Sequence, residues 1–480
     1  VSTAKKRNKK KWTYTLIIFV CAVYLGMVFY ESKKPLPKGL SYEGKIHQVD
    51  NVNFLYDLTY QKDKKEMHDQ MIFQKIFDQI DKADKFIVVD MFLFNDFYDK
   101  GMFFPPISDT LTKKLIDKKE KNPEMRIVFI TDPVNTGYSS FLSKQLKELK
   151  ENGIEVVITD LEPLRDSNPL YSAIWRIGLQ WFGQKGEGWI RNPLTPNAPK
   201  LTVRSYLELM NIKANHRKTL ATDKGAIVSS ANPHDASGYH SNIAFETSGP
   251  IIADILKTEQ SILDFSHSNV KLPKYEGSMN EKGNIKVQLL TESKIESGIV
   301  DTIKHTSKGD SIWIGMFYIA DRDIVNALTD AAGRGVKIRL ILDPNTNAFG
   351  HKKTGLPNNP VVSELLEEGK GNIQMKWYNT HKEQYHTKLI YVRGQDSSTV
   401  IGGSANYTMR NLDDFNPETD LKVQAGNREQ VIVDVDDYFH RIWNNEEGTY
   451  SVGYKKRKIE YTGVERVIYA LQKLLHFTTY

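Results

Sequence analysis

The pattern of apolar and polar positions divides the chain into three regimes. Residues 13–30 (Thr13 to Tyr30) carry no charge. At 1.5 Å per residue such a run predicts a helix about 27 Å long, enough to cross a hydrocarbon core. From residue 70 the spacing becomes that of alternating helices and strands. Met71, Ile72, Ile76 and Ile80 predict a helix over Gln70–Asp81, and Lys85–Phe94 is a buried-strand run. A helix over Leu111–Lys119, a strand over Met125–Thr131 ending at Asp132-Pro133, a helix over Phe141–Asn152 and a strand over Ile154–Asp160 follow.

That order recurs. Ser311–Ile319 repeats the first strand and shares its Met-Phe pair; Ile324–Gly333 is the next helix. Val336–Asp343 with Pro344 matches the Asp132-Pro133 strand, and a helix over Val361–Gly369 and a strand over Asn372–Tyr378 complete the set. Alternation of this kind predicts α/β layers with a largely parallel sheet, present twice. The first copy alone carries an insertion, residues 161–212, whose core Leu170–Phe182 has Tyr171, Ile174, Trp175, Gly178 and Trp181/Phe182 near one helical stripe. A lid or an interfacial helix dipping into lipid, or a plain core helix, fits it equally.

The segments are therefore a basic tail (1–12), an anchor (13–30), a linker (31–45), a first half (46–275), a second half (276–445) and a C-terminal tail (446–480). In that tail Lys455–Lys458 precedes an amphipathic stripe over Val464–Phe477, suited to an anionic surface or to packing on the body. Trp12 and Tyr30 sit where interfacial anchors belong, and Glu31-Ser32-Lys33-Lys34-Pro35 offers no small-residue cleavage pattern. The expectation is an uncleaved single-pass anchor in a cell membrane, of bacterial origin. Lys5, Lys6, Arg7, Lys9, Lys10 and Lys11 precede the span, so the N-terminus is expected in the cytoplasm and the body on the outer face. Composition sharpens this. The net charge of +6 lies wholly in those six residues, and residues 13–480 hold 59 basic against 59 acidic side chains. A neutral body argues against a nucleic-acid partner. The single cysteine, Cys21, permits no intramolecular disulfide.

The chemistry lies in a repeated pattern. His216 and Lys218 stand two apart, then Asp223, then a small-residue turn with Ser230 and Asn232; His386 and Lys388 are followed by Ser404 and Asn406. Residues two apart on a strand share a face, so each copy pairs a nucleophile or acid–base group with a fixed positive charge. Two such copies at corresponding places in a duplication resemble the phospholipase D superfamily, over roughly residues 46–445, and in length and layout resemble bacterial cardiolipin synthases, which usually carry two N-terminal spans.

The resemblance implies two fused α-β-α sandwich halves related by a pseudo-twofold axis, preceded here by one transmembrane helix. It implies a metal-free, cofactor-free phosphodiester exchange through a phosphohistidine, with His216 the nucleophile and His386 the general acid/base. Lys218, Lys388, Ser230, Asn232, Ser404 and Asn406 would bind the phosphoryl oxygens, Asp223 would support the first copy, and Glu246 and Glu418 would orient the histidines. The second copy departs from the pattern, with Arg393 where the first has Asp223. His234 and His240 lack companions for a metal set and read as loop residues near the head-group pocket. The expected partners are a phospholipid substrate and a membrane surface, in hydrolysis or phosphatidyl transfer. The alternatives are a membrane-tethered nuclease and, resting on Arg393 alone, an impaired lipid-binding scaffold.

Overall fold

A computed structural model of the chain describes residues 2–98, 101–193, 197–277, 282–348, 351–352 and 355–457, with positions 463, 467 and 470. The expected amphipathic stripe at Val464–Phe477 lies outside the described residues, positions 467 and 470 excepted. Helix α1 (Ser2–Lys33) includes one stretch, Lys10–Lys33, long and apolar enough to cross a membrane, and none of it is buried by the rest of the chain.

The first half is built from β1 (His47–Val49), β2 (Val52–Lys62), β3 (Lys65–Asp69), α2 (Ile72–Lys82), β4 (Phe86–Met91), α3 (Ile107–Lys121), β5 (Arg126–Thr131), α4 (Lys144–Glu151) and β6 (Glu155–Ile158). The insertion supplies α5 (Pro169–Ile177) and α6 (Val203–Leu209), followed by β7 (Lys218–Thr222), β8 (Ala226–Ser229), β9 (Asn242–Thr247) and α7 (Ile251–Phe265). The second half follows with β10 (Ile285–Thr291), α8 (Ser293–Lys304), β11 (Ser311–Met316), α9 (Arg322–Gly333) and β12 (Lys337–Leu342). A small hairpin β13 (Asn347–Ala348) and β14 (His351–Lys352) leads to α10 (Asn358–Glu368), β15 (Ile373–Tyr378), β16 (Lys388–Arg393) and β17 (Ser397–Gly403). Last come α11 (Met409–Leu412), β18 (Thr419–Gly426), α12 (Gln430–Asn444) and β19 (Ser451–Gly453).

Two sheets result, in the orders β3-β2-β9-β8-β7-β4-β5-β6 and β1-β10-β18-β17-β16-β11-β12-β15-β19. The core of each order is the same: two parallel pairings (β4-β5-β6, β11-β12-β15) flanked by an antiparallel run that begins at the strand after each histidine. The expected largely parallel sheet is thus corrected to a mixed one. The Lys218 and Lys388 strands return by tight turns into β8 and β17 rather than by helical crossovers, and a tight turn joins only antiparallel strands. Strands β4, β7, β8 and β9 are buried along their whole length, as a sheet covered on both faces requires.

One core cluster draws on both sheets together with α7 and α12 and joins the halves; two others lie under α2–α4 and under α8–α10. The boundaries shift accordingly. His47–Val49, assigned by sequence to the first half, pairs with β10 of the second, and Ser451–Gly453, assigned to the tail, closes the far edge of the second sheet on β15.

Candidate active site

Each histidine stands just before a strand, at the edge where that strand meets the Met-Phe strand of its own half. Met91 pairs with Lys218 and Met316 with Lys388, so Phe92 and Phe317 follow directly beside the two histidines. Their ring centroids lie 4.8 Å from His216 and 5.1 Å from His386. The two lysines lie over the same rings at 5.3 and 5.2 Å, and each ammonium donates to the carbonyl of its own histidine, at 2.7 and 2.8 Å.

The repeated Asp-Pro sets the approach to each histidine. Asp132 accepts from the backbone N–H of Asn215 at 2.8 Å, and Asp343 from that of Tyr385 at 2.7 Å. Each carboxylate thus clamps the residue before a histidine, while its other oxygen accepts from the turn that follows its own strand, at Val134 and at Asn345. Burial pushes both carboxyls up to about 7, against the pull of those N–H donors.

The partners of the imidazoles cross between halves. His216 Nδ1 lies 2.7 Å from Glu418 Oε1, from the second half, and His386 Nδ1 lies 3.0 Å from Asn242 Oδ1, from the first. Glu418 and Asn242 occupy equivalent places. Ser404 Oγ donates to Glu418 and Ser230 Oγ to Asn242, and each serine N–H donates to the carbonyl of the residue after that partner, Thr419 or Ile243. Asn411 also donates to Glu418. The two copies therefore share the histidine and serine bonds, but one histidine faces a carboxylate, which Asn411 also bonds, and the other an amide.

The electrostatics follow from burial. It lowers His216 well below the ordinary imidazole range, with Lys218, Lys388 and Arg410 adding to it. It lowers His386 in the same way, assisted by Lys388, Lys218, His240 and His216. Lys218 falls to about 8 and Lys388 well below its usual range, both chiefly by burial. Glu418 is pushed up by burial against the attraction of Lys218. Arg410, on α11, is a third buried cation acting on His216. Two imidazoles, two ammonium groups and a guanidinium in one site are suited to an anion, and the uncharged imidazole that burial favours is the form able to attack phosphorus.

Ser230, Asn232, Ser404 and Asn406 are all buried. Asn232 Oδ1 accepts from the N–H of Leu93 at 3.3 Å, while Asn406 Oδ1 has no hydrogen-bond partner among the described residues. Three residues fall elsewhere. Asp223 lies at the far end of β7 from His216, accepts from the N–H groups of Asp84 and Lys85 at 2.9 and 3.0 Å and pairs with Lys224 at 3.3 Å. Arg393 lies at the far end of β16, pairing with Asp436 of α12 at 2.5 Å. Glu246 is corrected outright: it accepts from Asn53 at 2.7 Å and Gln79 at 2.6 Å, and the place expected for it belongs to Asn242. Asn242 follows Asn232 by ten positions and Glu418 follows Asn406 by twelve, so a count of fourteen overshoots along β9.

His234 Nε2 donates to the Phe97 carbonyl at 3.3 Å and its Nδ1 accepts from Ser237 Oγ at 2.9 Å, and burial lowers it to about 4. His240 lies 6.2 Å from the His386 ring and, with Phe103, Phe104 and Tyr239, lines a cavity of about 270 Å³. Among the described residues one carboxylate group, Glu296, Asp321 and Asp413, has oxygens within 4.8 Å of one another; none of the histidine–lysine residues belongs to it. Asp132, Asp343, Asn242 and Arg410 were not singled out as site residues from the sequence. The repeated Asp-Pro was visible there, but only folding shows which N–H it holds.

Comparison with known proteins agrees with this architecture. Residues 299–443 match the family model described as the cardiolipin synthase, phospholipase D-like domain. No curated protein sequence matches the chain. Among solved structures, phosphatidylserine synthase of Haemophilus influenzae Rd KW20 superposes with a TM-score of 0.55 at 10% identity, over 92% of this chain and 97% of that one. A phospholipase D family member, Nuc from Salmonella typhimurium, aligns at 19% identity over 35% of this chain and 97% of that one, with a TM-score of 0.27. Residues 299–443 are thus matched directly as a phospholipase D-like domain, and the first half repeats the same strand order around a corresponding histidine.

Proposed function

We propose that the protein is a membrane-anchored phospholipase D-type phosphodiesterase or phosphatidyltransferase that acts on phospholipid through a phosphohistidine. The observation that carries the reading is the convergence of His216 and His386, each with its lysine, on one buried cationic site, with Glu418 on His216 alone. In the first step His216 Nε2, its Nδ1–H donated to Glu418, attacks phosphorus. The P–O bond to the leaving alcohol breaks, and the alkoxide takes a proton from His386 Nε2. In the second step water or an alcohol gives its proton to His386 and attacks phosphorus, the P–N bond breaks, and His216 is released. Lys218 and Lys388 neutralise the equatorial oxygens. A bound phosphodiester anion also screens those lysine charges from His386, raising its proton affinity when a general acid is needed.

Lipid is favoured over nucleic acid by the apolar helix α1 and by the neutral charge of residues 13–480. In the same reading residues 13–30 anchor the protein with the N-terminus in the cytoplasm and the body outside, so protease added to intact cells degrades the body. Full-length protein in vesicles containing phosphatidylglycerol is expected to release glycerol with formation of cardiolipin or phosphatidic acid. An acid-labile phosphorus adduct on the protein should persist in His386→Ala and vanish in His216→Ala. Untouched lipid alongside cleavage of single-stranded DNA would overturn the substrate; an adduct lost in neither variant would overturn the mechanism.

A further inference from the structure

The insertion unique to the first half turns its apolar side outward. Leu170, Ile174, Ile177 and Trp181 follow one another at the spacing of a single helical face, and they are 53%, 50%, 44% and 73% exposed. Phe182, next in the chain, is 73% exposed. The charge on this helix points the other way: Arg176 bonds Asp166 at 2.9 Å and Glu31 at 3.1 Å. A helix that hides its arginine and shows its leucine and isoleucines is the reverse of a water-facing one.

The same helix lies against α1. Tyr24 Oη donates to the carbonyl of Leu170 at 2.9 Å, and Arg176 reaches Glu31, so both helices advance together, by six residues on α5 and seven on α1. Further bonds fix the exit of α1 onto the insertion: Asp166 N–H to the Glu31 carbonyl at 3.0 Å, Arg165 to the Lys34 carbonyl at 2.9 Å and Lys34 to the Glu162 carbonyl at 3.1 Å. Tyr24 lies within the uncharged run, roughly 10 Å along the axis from Glu31 at 1.5 Å per residue. That is the depth to which interfacial helices bury their apolar faces.

Resting on the membrane-anchor reading above, we propose that α5 and the turn after it enter the outer leaflet beside the anchor. Leu170 lies deepest, Arg176 sits with Glu31 near the polar boundary, and Trp181 and Phe182 lie among the head groups. The occupant of this apolar face is the bilayer, because the face continues the lipid-exposed surface of α1. The insertion is also tied to the reactive strand. Lys213, three residues before His216, donates to the Leu164 carbonyl at 2.7 Å and pairs with Asp166 at 3.0 Å. The membrane contact therefore sets the height of the site above the lipid as well as tethering it.

The native Cys21 makes the test selective. In the full chain reconstituted in phosphatidylcholine–phosphatidylglycerol vesicles, a spin label at Cys21 reports the anchor. In a Cys21→Ser background, labels at L170C, I174C and F182C report the insertion, and K113C on the exposed face of α3 reports water. Accessibility to oxygen relative to a nickel chelate is expected to be several-fold higher at positions 21, 170 and 174 than at 113, and higher at 170 than at 182. In the unlabelled protein, brominated lipid should quench a fluorescence component that Trp181→Phe removes, a readout that needs no cysteine variant. Cys21 in lipid with positions 170 and 174 as nickel-accessible as 113 would overturn the proposal and spare the anchor. Cys21 in water would overturn both.

Discussion

If His216 carries the phosphoryl group, the sharpest perturbation is Glu418→Gln, set against Asn242→Ala. Glu418 is fully buried, with one oxygen 2.7 Å from His216 Nδ1 and the other bonded by Ser404. Glutamine keeps the shape and one acceptor oxygen for Nδ1–H, and its amide can donate to Ser404 Oγ. What it removes is the negative charge facing an imidazole that becomes cationic once phosphorylated. At an effective dielectric near 20, opposite charges about 4 Å apart attract by about 4 kcal/mol. The neutral hydrogen bond left behind keeps about 1 kcal/mol. The remaining ~3 kcal/mol corresponds to about a hundredfold slower formation of the adduct. Asn242→Ala removes only a neutral contact from His386, worth about 1 kcal/mol, or roughly fivefold. The assay is pre-steady-state release of p-nitrophenol from bis(p-nitrophenyl) phosphate, which does not depend on the lipid head group, with Tm checking that both variants fold. Equal losses in the two variants, or a larger one in Asn242→Ala, would refute the assignment of the nucleophile.

Three further outcomes are expected. Asp343→Asn sets an amide against the Tyr385 N–H or the Asn345 N–H, leaving a buried donor unpaired; the cost is about 2 kcal/mol of stability, with kcat lowered through a displaced His386. Arg393→Gln breaks a half-exposed pair with Asp436 far along β16 from His386, so stability, followed through Tm, should fall by no more than about 1 kcal/mol and kcat should not change. Asp223→Ala removes the acceptor in the β7–β8 turn that holds the Asp84 and Lys85 N–H groups before β4, lowering stability by about 1 kcal/mol at neutral pH with kcat unchanged. Burial works against the Asp223 carboxylate, but the donors at Lys85 and Asp84 and the Lys224 ammonium outweigh it and hold its carboxyl below 3.8. A depressed acid stabilises the fold above its unfolded value and loses that contribution as pH falls through the folded one. The gap between Asp223→Ala and wild type in urea unfolding should therefore be full above pH 3.8 and close below it.

The strand and helix runs were legible because periodicity reports burial, and burial is what a sheet covered on both faces imposes. The Gln70–Asp81 pattern gives α2 at Ile72–Lys82, and Met125–Thr131 gives β5 at Arg126–Thr131. Direction was not legible. A buried strand reads the same in parallel and antiparallel pairing, so the run from β7 to β9 looked like more of the same sheet. The four histidine–lysine residues could be found because duplication printed them twice. Of their partners, Glu418 could be named but not matched to His216, and Asn242 was missed, because both reach across the junction between halves and no spacing within one half encodes that contact. Glu246 shows the failure in detail: a count that reaches Glu418 in the second half passes Asn242 in the first, whose loop is two residues shorter.

The residue between histidine and lysine carries the asymmetry one step further. Arg217 is wholly buried and pairs with Glu292 at 2.9 Å and Glu259 at 3.6 Å. Glu292 in turn accepts the backbone N–H of Glu418 at 3.0 Å. The carboxylate that faces His216 is thus held in place by the neighbour of His216 itself, through an ion pair that spans the two halves. Removing one partner from such a buried set costs about 3–5 kcal/mol, so the frame is stiff. Thr387, the counterpart of Arg217, bonds the neutral hydroxyl of Tyr438 at 3.2 Å, and Asn242 on His386 is neutral too. On their Nδ1 sides, one histidine therefore meets fixed charges and the other neutral hydrogen bonds. A group that must hold positive charge through the lifetime of a covalent intermediate needs the first environment. A group that must give up a proton and take it back within one turnover works best in the second, where no carboxylate among the described residues pairs with its ring to hold it protonated.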